Sequence, residues 1–209
     1  MSASPNPDSV EPVATAPLSG SRKLTGSQQL VLLGVCLITV GLRLIDLPIE
    51  NLSTMAALAL FCGSVLRHPA AVLVPLVVRV ITDSVVHWNT GYGFFVSWPF
   101  DYSAYALIFL IGWFVQQKRY DQIMAGAFAS IIVYFLLSNF GVWLMWPDTY
   151  ARSLVGLTDC FTMAIPFARG TALGNLLAAP AFFMVWNLVT SSIPAAHTSS
   201  DASLVSSDQ

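Results

Sequence analysis

Charge is the scarcest commodity in this sequence. Lys, Arg, Asp and Glu make up 10% of its residues, against about 25% in an average soluble domain. Only 14 of the 20 lie between Gln28 and Ser191, mostly at the ends of apolar runs. A net charge of -2 with scattered Lys and Arg leaves no basic stripe for nucleic acid. Cysteine is scarce too: Cys36, Cys62 and Cys160 form no CxxC pair and have no His at ligand spacing. That spacing argues against zinc and reads as buried free thiols. A Walker-type phosphate loop, a His-Glu-x-x-His run and a nucleophile elbow are also missing. With no clustered acid, base or metal ligands, the sequence points to no enzyme, no resident cofactor and no metal.

What the sequence has is apolar length. Hydrophobic residues are 56% of it, and the mean hydropathy is +0.69. Residues 1–27, rich in Pro, Ser and Ala, cannot bury enough surface to fold alone and read as a disordered cytoplasmic tail; the Ser-rich residues 192–209 read the same way. Arg22 and Lys23 before the run from Leu30 have the look of a signal peptide, but the apolar runs that follow favour a retained first span. Between the tails, residues 28–191 form one transmembrane domain. Six spans fit the punctuation, at roughly 28–45, 52–66, 70–86, 103–117, 122–145 and 170–190. A bilayer needs about 20 helical residues, so the second and fourth are short.

Basic residues near span ends tend to stay cytoplasmic. With both tails inside, Arg22, Lys23, Arg67, Lys118 and Arg119 fall on the inner face, and Arg43, Arg152 and Arg169 on the outer one. This five-to-three balance predicts a multi-pass protein of the inner (plasma) membrane with cytoplasmic termini. Inner turns are minimal, whereas outer connections at 87–102 and 146–169 are long, and long loops on one face of a bundle are where binding usually resides.

The few polar residues within spans are the functional suspects. Arg79, Asp83 and His87 recur at i, i+4 and i+8 on one helical face. Arg79 and Asp83 form a candidate structural ion pair, and Asp83 is equally a candidate solute contact. Asn139 and Asn175 each need amide partners inside the bundle, from a neighbouring helix or a ligand. Trp143 stands at the outer interface, where its amphipathic ring is at home. Gly170, Gly174 and Ala178 repeat every four residues, a smooth stripe for close helix packing. Pro166 suits a loop or a helix start just before the sixth span.

The run Asn51, Leu52, Ser53, Thr54, Met55, Ala56, Ala57, Leu58, Ala59, Leu60, Phe61, Cys62, Gly63 resembles the opening signature of a bacterial membrane family of unknown function, roughly Asn-Phe-Thr-Pro-x-x-Ala-Leu-Ala-Leu-Phe-x-Gly. Pro75 to Asp83, Ser138 to Trp143, and Tyr150 through Gly156, Cys160, Pro166 and Phe167 to Gly174 agree with it. That family is in turn similar to the substrate-capturing S components of energy-coupling-factor (ECF) transporters. The resemblance implies a six-helix, all-α membrane bundle that binds a vitamin or other micronutrient near the outer face. It places the ligand under the loops at 46–51, 87–102 and 146–169. It further implies a transmembrane coupling subunit with two ATPases as partners. Thr54 departs from the family's Pro, Asn175 from its frequent Asp, and the first helix lacks an Ala-x-x-x-Ala pattern. Together these readings give the candidate solute contacts Asn51, Asp83, Asn139, Trp143, Tyr150 and Asn175. The alternative is a non-transporting scaffold or assembly partner whose polar residues only join helices.

Overall fold

In the computed structural model, residues 24–45, 51–91 and 93–191 are described. Most of the expected first tail, all of the second, and most of the 46–51 loop lie outside those residues. The described part of the first tail contains the start of α1 (Gly26–Leu44). The Thr25 side chain accepts from the Gln28 backbone N–H while the Gln28 side chain accepts from that of Thr25. This reciprocal cap satisfies two donors at the helix start. Leu30, Leu33, Leu37 and Ile38 are exposed on α1, an apolar surface suited to lipid.

Helix α2 (Met55–Leu66) is the hub. Every residue from Met55 to Ser64 is buried, as expected of a helix apolar on all sides. It packs against all five other α-helices: α3 (Leu73–Thr90), α4 (Trp98–Phe114), α5 (Tyr120–Met145) and α6 (Leu154–Ser191) as well as α1. A single 3-10 turn, Pro69–Val72, leads into α3. Helix α3 stops at Gly91, whose φ of 79° lets its N–H turn back to the His87 carbonyl. Phe61 anchors α2 to α6 through edge-on contacts with Phe182, Phe183 and Trp186, at centroid distances of 6.1, 5.3 and 5.7 Å.

The ends of a helix buried inside a bundle must find partners from the protein itself. At the start of α2, the Ala57 N–H donates to Asn175 Oδ1 at 2.7 Å, and the Met55 N–H to Ser53 Oγ at 3.4 Å. At its end, the Ser64 carbonyl accepts from Gln117 Nε2 at 3.0 Å and Arg67 Nε at 3.3 Å. Gln117 also accepts from Trp186 Nε1 and Asn187 Nδ2, so one residue of the α4–α5 turn fastens α2 to α6.

Helix α6 corrects the reading of the last connection. The segment 146–169 is not a long loop: only 146–153 connect α5 to α6, and the helix runs unbroken from Leu154 to Ser191 with Pro166 and Pro180 inside it. Each Pro forfeits one helical hydrogen bond. In a bilayer, an unwound backbone would forfeit several, which is why Pro is tolerated in such helices. The early part of α6 lies along α5, with Phe161 edge-on to Phe135 at 5.6 Å. The 87–102 connection likewise shrinks to 91–97.

Among the described residues, four helical segments are long and apolar enough to cross a membrane: Gly26–Leu44, Pro69–Thr90, Tyr120–Met145 and Leu154–Ser191. The protein is therefore an all-α membrane protein among its described residues, with α2 at 12 residues and α4 at 17 as the shorter members.

Helices α2 and α4 approach each other closely. A Cβ at Gly63 would strike the Phe109 carbonyl, and one at Gly112 the Leu60 carbonyl, both backbone atoms that cannot swing aside. Gly63→Ala and Gly112→Ala should each cost about 1–3 kcal/mol or more through overpacking. Gly34→Ala, inside α1 with nothing within 4 Å of the added methyl, should hold stability or raise it by up to about 1 kcal/mol. Thermal unfolding of the three variants in detergent checks this; equal melting temperatures for all three would contradict the packing.

Candidate functional site

A cavity of about 580 Å³ opens where α1, α3 and α5 finish and α2 and α4 begin, flanked by the early part of α6. This is the end that the basic-residue balance assigns to the outside. Its walls mix rings and short polar side chains: Phe95, Tyr134, Phe135 and Phe167 beside Ser97, Ser138, Asn139 and Thr171.

Its floor is built on ion pairs. Asp83 is fully buried and accepts from three helices at once: Arg43 Nη2 of α1 at 2.6 Å, Arg79 Nε of α3 at 2.8 Å and Tyr102 Oη of α4 at 3.1 Å. Arg79 Nη2 reaches on to Asp101 Oδ2 at 3.9 Å, a weaker contact that the Ser97 hydroxyl supplements at 3.5 Å. The Arg79 guanidinium also stands 5.6 Å from the centre of the Tyr105 ring, which stacks on Tyr134 at 5.2 Å. Two arginines thus face two aspartates. Balance of this kind is what makes buried charge tolerable, since a lone ion would cost several kcal/mol.

The six candidate solute contacts divide evenly. Asn51, Asn139 and Tyr150 line the cavity. Asn51 sits at φ 56°, a left-handed conformation that Asn tolerates, and its carbonyl accepts from Thr171 Oγ1 at 3.0 Å. Asn139 donates to the Phe135 carbonyl at 2.7 Å. Asp83, Trp143 and Asn175 are not among the lining residues. Asp83 lies beneath, occupied by its three donors. Trp143 Nε1 donates to the Ala151 carbonyl at 3.0 Å, tying the end of α5 to the following turn. Asn175 caps α2 through Oδ1 and returns Nδ2 to Thr171 O at 2.7 Å. Of the small-residue stripe, Gly170 and Gly174 are buried, and Gly174 admits the Ser53 backbone at a distance no Cβ would allow. Ala178 lines a separate apolar groove of about 460 Å³ between α1 and α6.

Arg43, Ser97, Asp101 and Tyr134 were not legible as cavity residues. Arg43 and Asp101 look like span-end charges, and their partners lie 40 and 22 positions away in sequence, beyond any helical spacing. Among the described residues, no group of three or more His, Cys, Asp or Glu stands close enough to hold a metal ion.

A family model described as a family of unknown function, DUF6580, matches residues 23–196. The chain belongs to the DUF6580 family. No curated protein and no solved structure matches it, and the DUF6580 match carries no link to S components. It spans the whole cavity of this DUF6580 chain and both arginines of the floor.

Asp83→Asn should cost about 3–5 kcal/mol, because it strips two arginines of their shared carboxylate. Arg43→Gln should cost less, since the Arg43 side chain retains 21% exposure. Combined, the two should cost less than their sum by at least about 1 kcal/mol. Chemical unfolding of the singles and the double measures the coupling; strict additivity would show that the contact carries no energy.

Proposed function

We propose that this protein captures a small solute from outside the membrane, acting as the substrate-binding subunit of an uptake system in the manner of an S component. In this reading all six helices contribute to crossing the membrane, both termini are cytoplasmic, and a separate transmembrane coupling subunit with two ATPases supplies energy. One observation carries it: a cavity of about 580 Å³, within the roughly 300–1,000 Å³ usual for small-molecule sites, with polar side chains on walls otherwise built for a ring. Polar and charged groups inside a membrane bundle are costly to maintain, and membrane proteins keep such sites for passage or binding.

A scaffold reading has its own support. Asp83 and Asn175, both singled out by polarity, spend their hydrogen bonds on holding helices together.

The two readings part at occupancy. Protein purified from its native host should carry a small molecule detectable by native mass spectrometry. Ala164→Phe, which puts a ring into the cavity wall, should abolish that mass while the melting temperature stays close to that of the parent. Asn175→Leu, outside the cavity, should lower stability by about 1 kcal/mol through the lost cap and retain the molecule. A protein that never carries a bound species, or one that keeps it despite Ala164→Phe, would leave the scaffold reading standing.

A further inference from the structure

Arg43, Arg79 and Asp101 line the cavity, and Asp83 lies beneath them. The floor is already neutral, with Arg43 and Arg79 against Asp83 and Asp101. An incoming ion would find no free countercharge there, and in a site of low polarity would lose its hydration uncompensated. The walls add Tyr134, Phe135 and Phe167, flat apolar faces suited to a planar body.

We propose that the cavity selects a planar solute without net charge. The selectivity comes from the balanced floor, which rejects ions of either sign, while the flat walls of Tyr134, Phe135 and Phe167 hold a neutral aromatic or heterocyclic ring. This rests on the reading of the cavity as a solute site.

The test uses an introduced thiol as the detector. Ala164→Cys, made together with Cys160→Ala because Cys160 is on the same wall, puts it on the cavity wall, and three methanethiosulfonates with two-carbon arms but different charge report access to it: the neutral hydroxyethyl, the cationic aminoethyl and the anionic sulfonatoethyl reagents. Each rate on purified protein, followed by peptide mass mapping, is divided by that reagent's rate with free 2-mercaptoethanol. The neutral reagent should outpace both ions by about tenfold or more, as expected for a charge entering a poorly screened site. Adding Asp101→Asn leaves two arginines against one aspartate and should raise the anionic rate selectively. Adding Arg43→Gln does the reverse and should raise the cationic rate. If either variant fails to fold, the other still carries the test, because each predicts a shift of defined sign. Equal normalised rates for the three reagents, or rates that the floor variants leave unmoved, overturn the selectivity while leaving a solute cavity in place. No labelling by any reagent overturns the open cavity itself, and with it both this inference and the reading it rests on.

Discussion

Helix α2 sets the constraint that the rest of the bundle obeys. It is 12 residues long, about 18 Å of helix at 1.5 Å per residue, and Met55 to Ser64 are buried, so its start lies inside the bundle, whereas Arg67 just past its end is exposed. The buried terminal amides and carbonyls must then be met by partners within the protein. That requirement explains the positions of polar residues that would otherwise be anomalous in apolar helices. Asn175 serves the start of α2, while Gln117 and Arg67 serve its end. It also explains the glycines: Gly63 against the Phe109 carbonyl and Gly112 against the Leu60 carbonyl bring two backbones together where side chains would hold them apart.

A short central helix has a second effect. Because α2 begins deep inside the bundle, the space above its start is not filled by its own continuation. The ends of α1, α3 and α5, the start of α4 and the early part of α6 surround that space, and the cavity is what they leave. The same geometry brings Arg43, Arg79, Asp83 and Asp101 together from three helices. The cluster is therefore both a fastener and a floor. Asp83, beneath the lining, does the fastening; Arg43, Arg79 and Asp101 also face the cavity.

Much of this architecture could be read in the sequence, and the misses share a physical cause. The run from Met55 announces a helix through its unbroken apolar character, and Tyr120–Met145 matches the expected fifth span closely. The start of α6 was not legible, because Asp159, Pro166 and Arg169 have the composition of a loop. Helical structure there is enforced by packing along α5 and by the cost of open backbone in lipid, neither of which is local. Asn175 and Asp83 were visible as polar residues needing partners, but sequence spacing reveals only partners on the same helix. Arg79 to Asp83 at i+4 is of that kind. Arg43 to Asp83 and Asn175 to Ala57 are not, and they decide which polar atoms are spent on structure and which remain free.

That distinction bears on how binding and folding are linked. Arg43 is the end of α1 nearest the cavity, and its Nη2 bond to Asp83 is the ionic tie between α1 and α3. The same residue lines the cavity. A solute packed against its guanidinium would hold it in the orientation that Nη2 needs for Asp83, so occupancy and the α1–α3 contact reinforce each other. Any ligand that binds only the folded state stabilises it in proportion to the logarithm of its concentration over its dissociation constant. Here the added stability would be directed to the junction of α1 with α3, through a side chain that belongs at once to the cavity and to the ion-pair floor.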